Sequence, residues 1–359
     1  DFIDVTVITA TNNLRTDFDL RGNAINQTVK RYSDIDKTSL IETQVITNQP
    51  YTFMDRATHS SITTTNSTGG FVDRQEIDYI AYRSDGNVVD QTIRRYDETD
   101  LLIDYKVIHN DYDHELAARR GNATHTTITR YSSDTVLDAA TLIETQQIYN
   151  DPSTIDSRGN IVDQRIELWV DAKMSRQTYI HNSNISNLGN ASNQEITTAI
   201  YNPTSGTADI VTSYQLITNR TFDSDANVKD QMVLNYLERG VVLLDIQEIR
   251  NELFTSRGDV IDQKVATYSL KEGLTDYNSS LSLAEQADIL DVKVIHNDNI
   301  DSLGNAYSTT IAKYAQGYVD GQGYIQYSNL MDVTVISATN QVRTDFDLRG
   351  NAINQTVKR

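Results

Sequence analysis

The 359-residue sequence contains no cysteine and only three prolines. The absence of cysteine excludes disulfide bonds, zinc sites with thiolate ligands and cysteine nucleophiles. Pro50, Pro152 and Pro203 all fall in connecting segments, so no strand interior has to accommodate a proline. Long apolar runs are also missing, because the run at 241–244 is among the longest and roughly 18 to 20 residues are needed to span a bilayer. We therefore expect no membrane insertion.

Basic residues are in the minority: 31 Lys and Arg stand against 50 Asp and Glu, which gives a formal net charge of −19. Nucleic acids and anionic membrane surfaces attract basic proteins, so we expect no nucleic-acid partner. The same acidity keeps a large exposed array soluble and attracts cations. Abundant Thr, Asn and Gln together with 20 Tyr are typical of bacterial surface proteins, which favours an extracellular or cell-surface location.

A degenerate repeat runs through the whole chain. With Gly22 as the anchor, equivalent positions are Asp55, Gly86, Gly121, Gly159, Gly189, Ala226, Gly258, Gly304 and Gly350. The nine steps average about 36 residues, which is the size of one supersecondary unit. An uninterrupted repeat has no internal domain boundary, so we interpret residues 1–359 as a single array.

The pattern is carried by three residues that follow each anchor, at offsets five, seven and ten. Gln is usual at offset five, Ile or Val always stands at offset seven, and an aromatic residue is usual at offset ten. The clearest copies are Gln27, Val29 and Tyr32; Gln91, Ile93 and Tyr96; Gln164, Ile166 and Trp169; and Gln263, Val265 and Tyr268. Offsets five and seven share a parity, so the Gln and the Ile or Val point to one face of a strand. We expect the glutamines to form a hydrogen-bonded ladder between strands, the alternative being a tolerated surface residue.

A second extended segment precedes each anchor turn, as at 40–48, and its seventh residue is Ile in every copy. Two such segments joined by a short Gly- and Asn-bearing connection predict a β-hairpin. One hairpin cannot offset the entropy of ordering about 36 residues, so neighbouring hairpins must share a buried face. The predicted fold class is therefore all-β, with tandem β-hairpin repeats forming a continuous twisted sheet, a solenoid or a tube.

A longer repeat encloses the short one. Residues 4–31 and 332–359 are 28-residue segments that differ only at Thr9/Ser337, Asn13/Gln341 and Leu14/Val342. We interpret 1–328 as one module of nine hairpins and 329–359 as the start of the next copy. This pattern is typical of a giant tandem-repeat surface or filament protein, and it predicts self-association between identical modules.

Length variation falls in the connections at 132–141, 202–207, 269–288 and 315–328, which we expect to project from the stack. The stretch 281–287 is the only segment predicted to form a helical turn or two. An insertion at 111–118 is predicted to be an ordinary loop or, alternatively, a contact between subunits.

Several loops before the anchor turns cluster acidic residues: Asp17 and Asp19, Asp151 and Asp156, Asp298 and Asp301, and Asp345 and Asp347. Calcium prefers six to eight oxygen ligands, and such loops could supply several, so calcium is the one cofactor under consideration. The EF-hand spacing is absent, and Asp side chains that cap their own turns explain the same residues without a metal.

The six histidines are spread along the array, and His109, His181 and His296 occupy one repeat position. Such spacing argues against a shared metal site or a catalytic dyad. The sequence has no phosphate-binding glycine loop, no nucleophile elbow and no His-Glu-x-x-His zinc motif. We therefore predict that the protein is not an enzyme.

Tyr96-Asp97, the Leu residues that follow and the later Arg120-Gly121-Asn122 resemble the tyrosine-aspartate repeats of RHS-type proteins. Elsewhere Ser follows the Tyr, as at Tyr32-Ser33. The resemblance implies hairpins that spiral into a hollow shell, or a surface adhesion protein.

The function predicted from the sequence is that of a structural repeat protein that forms or extends an extracellular fibre, stalk or sheath. One alternative is an adhesin stalk that presents the variable loops to a glycan or a cell surface. Another is an RHS-like shell enclosing a cargo.

Overall fold

A computed structural model describes residues 5–237, 241–301 and 303–359. Its β-strands are β1 Val5–Ala10, β2 Asn26–Tyr32, β3 Leu40–Asn48, β4 His59–Asn66, β5 Phe71–Tyr82, β6 Val88–Tyr96, β7 Leu102–Asp111, β8 His125–Tyr131, β9 Leu142–Asn150, β10 Asp163–Val170, β11 Lys173–Ile185, β12 Ala191–Asn202, β13 Thr207–Phe222, β14 Val228–Tyr236, β15 Leu243–Phe254, β16 Val260–Leu270, β17 Ala287–Ile300, β18 Ala306–Val319, β19 Ile325–Ala338 and β20 Gln355–Lys358. The α-helices are α1 Glu115–Ala118 and α2 Leu283–Gln286, and two 3₁₀ turns cover Arg15–Asp17 and Arg343–Asp345.

All twenty strands belong to one sheet, and each pairs antiparallel with its neighbours in the chain. Turns with the Gly22-type position join β1 to β2, β3 to β4 and so on, and we call this edge of the sheet the anchor end. The turns that join β2 to β3, β4 to β5 and so on form the opposite edge, the distal end. The all-β prediction with tandem hairpins is confirmed.

The repeat pattern sets the register. In every hairpin, the Ile or Val seven residues after the anchor faces the invariant Ile of the preceding strand, as in Val29 with Ile8 and Ile62 with Ile46. On the other side of the same strand, the residue two positions earlier faces the next invariant Ile, as in Gln27 with Ile46. The register therefore advances by two residues per unit. Such a constant stagger tilts the strands and makes a twisted sheet coil.

Three of the repeat glutamines form side-chain hydrogen bonds, and their partners are asparagines rather than other glutamines. Gln164, Gln194 and Gln263 each donate from Nε2 to the Oδ1 of the Asn that stands two residues after the invariant Ile of the facing strand, over 2.7 to 2.9 Å. That Asn in turn donates to a backbone carbonyl one strand further on, as Asn150 does to Ala123 at 2.7 Å. The expected ladder of glutamines alone is therefore wrong. An amide has both a donor and an acceptor, and an Asn lies directly opposite, so at these three units the Gln binds an Asn instead.

The largest apolar cluster lies on one face of β13–β19. Its buried residues are Tyr214, Leu234, Tyr236, Ile246, Ala266, Tyr268, Ala287, Val292 and Ile325. The segment between β16 and β17 folds back over this face, and Tyr277 and Leu283 pack against the cluster. The expectation that this insertion projects from the stack is therefore wrong, because its apolar side chains cover tyrosines that would otherwise be exposed.

Two other connections also differ from expectation. Residues 315–328 are mostly strand: β18 and β19 extend as a longer hairpin, and the buried Ile325 joins the core. The predicted helical stretch is confirmed as α2, but α1, in the 111–118 insertion, was not predicted. Ala117 and Ala118 of α1 are buried within the chain, so this insertion packs on its own sheet.

Candidate interaction surface between turns of the sheet

Each anchor turn is held by its own polar side chains. Asp19 Oδ1 accepts hydrogen bonds from the backbone N–H of Arg21 and of Asn23, both at 2.8 Å. Asn23 Nδ2 donates to Asp19 Oδ2 at 2.9 Å. The turns that begin at Asp156, Asp223, Asp301 and Asp347 repeat this arrangement. The acids before the Gly are thus turn caps of the Asx type.

Neighbouring anchor turns are bonded to each other. Arg21 Nη2 donates to the carbonyl of Thr52 at 2.7 Å, and Asn23 Nδ2 donates to Asp55 Oδ1 at 2.9 Å. Further along the array, Asn122 Nδ2 donates to the Gly159 carbonyl at 3.0 Å. Neighbouring turns are therefore linked along much of the anchor end.

Seven of the eight carboxylates considered for calcium accept hydrogen bonds from neighbouring residues of their own loops. Burial opposes ionisation of Asp17, but hydrogen bonds from Leu14 and Asn12 outweigh it and hold its pKa below the usual value. The pKa of Asp19, Asp345 and Asp347 is lowered in the same way, with burial opposing and hydrogen bonds from neighbouring Asn residues dominating.

Asp151 accepts a hydrogen bond from the Ser153 N–H. Asp156 and Asp301 cap the anchor turns described above, whereas Asp298 lies exposed on β17. Within residues 5–237, 241–301 and 303–359, no group of three or more His, Asp or Glu is arranged to hold a metal ion. Calcium binding by these loops stays a prediction.

The sheet coils so that its anchor end meets its distal end. Arg31, at the distal end of β2, donates to the Thr255 carbonyl at 2.8 Å and lies 3.4 Å from Asp225. Glu42 Oε1 accepts the backbone N–H of Ser256 at 3.1 Å. The residues joined by these hydrogen bonds are 214 and 224 positions apart in the chain.

The same pairing of ends continues around the coil. Asp73, at the start of β5, forms a 3.0 Å ion pair with Arg257, which comes from the anchor turn before β16. Glu98, in the distal turn after β6, accepts hydrogen bonds from Tyr307 OH at 2.8 Å and from the Arg343 N–H at 3.0 Å. Arg130 donates to the Leu348 carbonyl, and Arg349 donates to the Ile143 carbonyl at 3.4 Å. These separations correspond to about six repeat units for each turn of the coil.

A charged cluster lies behind this contact. Asp104 is fully buried and bonds Arg95 and Arg130, while Arg130 also lies 3.0 Å from Glu144. Burial opposes ionisation of Asp104, but the hydrogen bond and charge of Arg95 keep its pKa below the usual value. The pKa of the neighbouring Lys106 is lowered to about 8, by burial first and by the charge of Arg95 second.

Tyr307 and Phe346 form the apolar part of the contact, with ring centroids 5.9 Å apart and both side chains buried. Burial, and then the hydrogen bond to Glu98, raises the pKa of Tyr307 far above its usual value. The phenol therefore stays protonated and donates to Glu98. Sequence reasoning did not find this contact, because no local pattern joins residues that are 209 positions apart.

The histidines form cross-strand pairs. His109, His181 and His296 lie directly opposite Asp90, Asp163 and Asp262, with Nδ1–Oδ1 distances of 2.6, 2.6 and 2.7 Å. His59 and Asp78 form the same pair with the two residues exchanged, at 2.7 Å. The three equivalent histidines are thus separated along the array, as their spacing predicts. His109 and His125, however, both contact Asp111, at 3.2 and 3.3 Å. The partner acid, four residues after the anchor, is a regularity that sequence reasoning missed.

A groove with a volume of about 1170 Å³ lies on β8–β13. Tyr149 on its floor stacks on His125 at 4.5 Å and carries Arg165 over its ring at 4.4 Å, so its faces are occupied. Tyr179, 46% exposed, is the accessible aromatic residue beside it. Among the described residues, no helix is long and apolar enough to cross a membrane.

Comparison with known proteins yields no family model that matches this chain, and no curated protein matches it either. Among solved structures, the crystal structure of TcdB2-TccC3 is 14% identical over 93% of this chain, with a TM-score of 0.17. The Photorhabdus luminescens Tc holotoxin pore, with a TccC3 variant, is 9% identical over 97% of this chain, with a TM-score of 0.15.

This chain spans only 18% and 20% of the length of those solved chains. They are weak structural neighbours, and TM-scores of this size do not establish a shared fold. The architecture described above rests on the strand register and on the contacts between turns.

Proposed function

We propose that this chain is a structural, non-catalytic element that lengthens an extracellular fibre, stalk or sheath by repetition of its 328-residue module. One observation carries the proposal: the second copy of the duplicated segment continues the sheet in the register of the first. Ile336 faces Val357 as Ile8 faces Val29, and the anchor loops of both copies have the same isolated bridge, Phe18 with Ala24 and Phe346 with Ala352. Modules can therefore follow one another without a break in hydrogen bonding.

A chain in which residues 1–328 are followed by 1–359 tests this function. Electron microscopy and small-angle X-ray scattering should show one rod of unchanged diameter, with about twice the module length. Two separate particles joined by a link would contradict the proposal.

The matched control deletes one residue from β19, upstream of the duplicate. Because side chains alternate between the two faces of a strand, a one-residue shift places the second module's core residues on the wrong face. The rod should then divide at the junction between the modules.

An RHS-like shell around a cargo and an adhesin that binds a glycan remain alternative predictions. The coiled sheet and its exposed Tyr179 are compatible with both alternatives. Neither alternative is supported by an observation as specific as the repeated register.

A further inference from the structure

The contact between successive turns of the coil brings together two surfaces with opposite orders of charge. At the distal end, β2 presents Arg31 and β5 presents Asp73, and both side chains are buried. At the anchor end, the residue directly before the anchor is Asp225 ahead of β14 and Arg257 ahead of β16. Along the chain, the distal surface therefore reads basic then acidic, and the anchor surface reads acidic then basic.

Each of these charges has its partner on the other surface. Arg31 Nη1 lies 3.4 Å from Asp225 Oδ2, and its Nη2 lies 3.9 Å from Asp223 Oδ2. Arg257 Nη1 donates to Asp73 Oδ2 at 3.0 Å. Counted from the anchors, both pairs join units that are six repeats apart. The contact is therefore complementary at two neighbouring units, and its sign is reversed from one unit to the next.

The repeat places an arginine opposite three acids of the distal end, but not opposite Asp73. In four consecutive units the residue nine positions after the anchor faces an acid on the following strand; the facing pairs are Arg31 with Glu42, Thr64 with Asp73, Arg95 with Asp104, and Arg130 with Glu144. Thr64 has no charge. Burial raises the pKa of Asp73, and the charge of Arg257 opposes that rise. Arg257, from the other turn of the coil, thus supplies the cation that the repeat omits at this unit.

Shifting the coil by one unit in either direction would destroy this complementarity. With five units per turn, Asp73 would lie against Asp225. With seven units per turn, Arg31 would lie against Arg257. The anchor turns on either side of this pair have leucine directly before the anchor, so neither shift supplies a new partner for the charge left over. Like charges held together at a buried contact are strongly unfavourable, so both shifted arrangements are disfavoured.

We propose that the distal end of β2–β5 is a docking surface whose one fitting partner is the pair of anchor turns that contain Asp225 and Arg257, and that this order of charges fixes the coil at six units per turn. The twist and stagger of the strands bring the two ends of the sheet together, and the charges select which anchor turns meet which distal turns. Repulsion in the shifted arrangements adds to this selectivity. The inference concerns contacts within one chain and does not rest on the proposed structural function.

Two introduced thiols can report the number of units per turn, because the chain has no cysteine. Gln44 Nε2 donates to Ser256 Oγ at 2.7 Å across the contact, so Gln44→Cys with Ser256→Cys should cross-link within one chain. Ser224 is the equivalent of Ser256 in the neighbouring anchor turn, so Gln44→Cys with Ser224→Cys reports a coil with five units per turn. Neighbouring anchor turns are two strands, or about 10 Å, apart, so a bifunctional thiol reagent with a much shorter span distinguishes the two positions.

The test exchanges the charges of the anchor turns with Asp225→Arg and Arg257→Asp, which leaves the net charge of the chain unchanged. Like charges then meet at both positions, and the cross-link to position 256 should form at least about tenfold more slowly. Adding Arg31→Asp and Asp73→Arg exchanges the docking surface as well. The fourfold exchange should restore the cross-linking rate to within about threefold of its original value, since each pair is again complementary.

Arg21→Asp is the matched control, because Arg21 occupies the same repeat position as Arg257 but lies at a lateral contact. It should leave the cross-linking rate unchanged. Circular dichroism verifies that every variant keeps its sheet. Faster cross-linking to position 224 in the twofold exchange would also support the proposal, since a coil with five units per turn would place Asp73 against the introduced arginine. A twofold exchange that keeps the original rate, or a folded fourfold exchange that does not recover it, would overturn the proposal.

Discussion

At the scale of single residues, the Gly of the anchor turn has two separate functions. Gly22 and Gly258 both adopt positive φ angles, +96° and +85°. A Cβ at Gly22 would meet nothing within 4 Å, whereas one at Gly258 would lie 2.7 Å from Asn227 Oδ1 of the preceding turn. Where it stands, the Gly therefore permits the turn, and at some units it also permits neighbouring turns to stack.

These two functions can be measured separately. Gly22→Ala should lower the free energy of unfolding by about 1 to 2 kcal/mol, because only backbone strain is added. Gly258→Ala should lower it by about 1 to 3 kcal/mol more, because the new methyl group is overpacked against Asn227. Urea denaturation compares the two variants. Combining Gly258→Ala with Asn227→Ala should recover the difference, and equal losses for the single variants would contradict this account.

Lys106 gives a prediction about pH. Its folded pKa of about 8 lies below the usual 10.5, so the unfolded chain binds the proton more tightly and the burial of Lys106 costs stability below pH 8. The free energy of unfolding should therefore rise between pH 8 and 10.5. Lys106→Met should remove this rise and add about 1 to 3 kcal/mol of stability at pH 7. Denaturation curves at pH 7, 9 and 10.5 check both points. If the free energy of unfolding of Lys106→Met still rises with pH, the rise belongs to another group.

The repeat positions were predictable from the sequence, since Val29, Gln27 and Gly22 recur at fixed offsets and a strand allows only two faces. The partner of the Gln was not predictable. Asn and Gln amides are chemically equivalent as partners, and only the register shows that Asn251 lies opposite Gln263.

At the scale of elements, the segment between β16 and β17 is a cover held by one buried amide. Gln286 is fully buried, donates to the carbonyls of Asn278 and Leu281 at 2.9 and 3.1 Å, and accepts the Asn278 N–H at 2.7 Å. Tyr236 OH donates to Asp276 of the same segment at 2.8 Å. The side chain of Gln286 thus fixes the backbone of the cover over the tyrosines.

Gln286→Ala should release this cover. Loss of its hydrogen bonds leaves buried backbone groups unpaired, so the free energy of unfolding should fall by about 1 to 3 kcal/mol. Limited proteolysis should cut at 271–282 well before the strands are cut. Gln322→Ala, in the exposed turn before β19, is the matched control and should change neither quantity. Equal cleavage of both variants would show that Gln286 does not hold the segment.

The insertion was visible in the sequence as a change in repeat length, and its helical turn was predictable from composition. Its position over the core was not, because Tyr277 and Leu283 have no repeat partner that would indicate which face they cover. Long insertions carry their own apolar residues, and only the assembled sheet shows where these find a surface.

At the scale of the whole molecule, the arginine before the anchor Gly has different roles in different turns of the coil. Arg21 contacts Asp19 in its own turn and Asp55 and Thr52 in the neighbouring turn, and it is 43% exposed. Arg257 also reaches Asp73 in the other turn of the coil and is 17% exposed. Arg21 thus makes a lateral contact, within one turn of the coil. The equivalent Arg257 makes an axial contact, between two turns of the coil.

Arg257→Ala should therefore loosen the coil, whereas Arg21→Ala should not. Removal of Arg257 leaves the buried Asp73 carboxylate without its partner, which should lower the free energy of unfolding by about 3 to 5 kcal/mol. The exposed Arg21 should account for less than about 1 kcal/mol. Small-angle scattering of Arg257→Ala should show a longer, less compact particle. An unchanged scattering profile with equal stability losses would contradict the axial role of Arg257.

The hairpin array was predictable because each unit repeats the same local sequence pattern. The coiling was not, because the number of units per turn depends on the summed twist and stagger of many strands. Residues 31 and 255 carry no sequence signal of their proximity.

The mismatch between nine units per module and about six per turn has a geometric result. Each module advances the coil by about one and a half turns, so identical segments of consecutive modules emerge on opposite sides of the axis. Every second module should return to the same azimuth. In a long filament the covers at 271–282 would then form two rows on opposite sides of the axis. A diffraction pattern of the filament would show an axial period equal to the length of two modules.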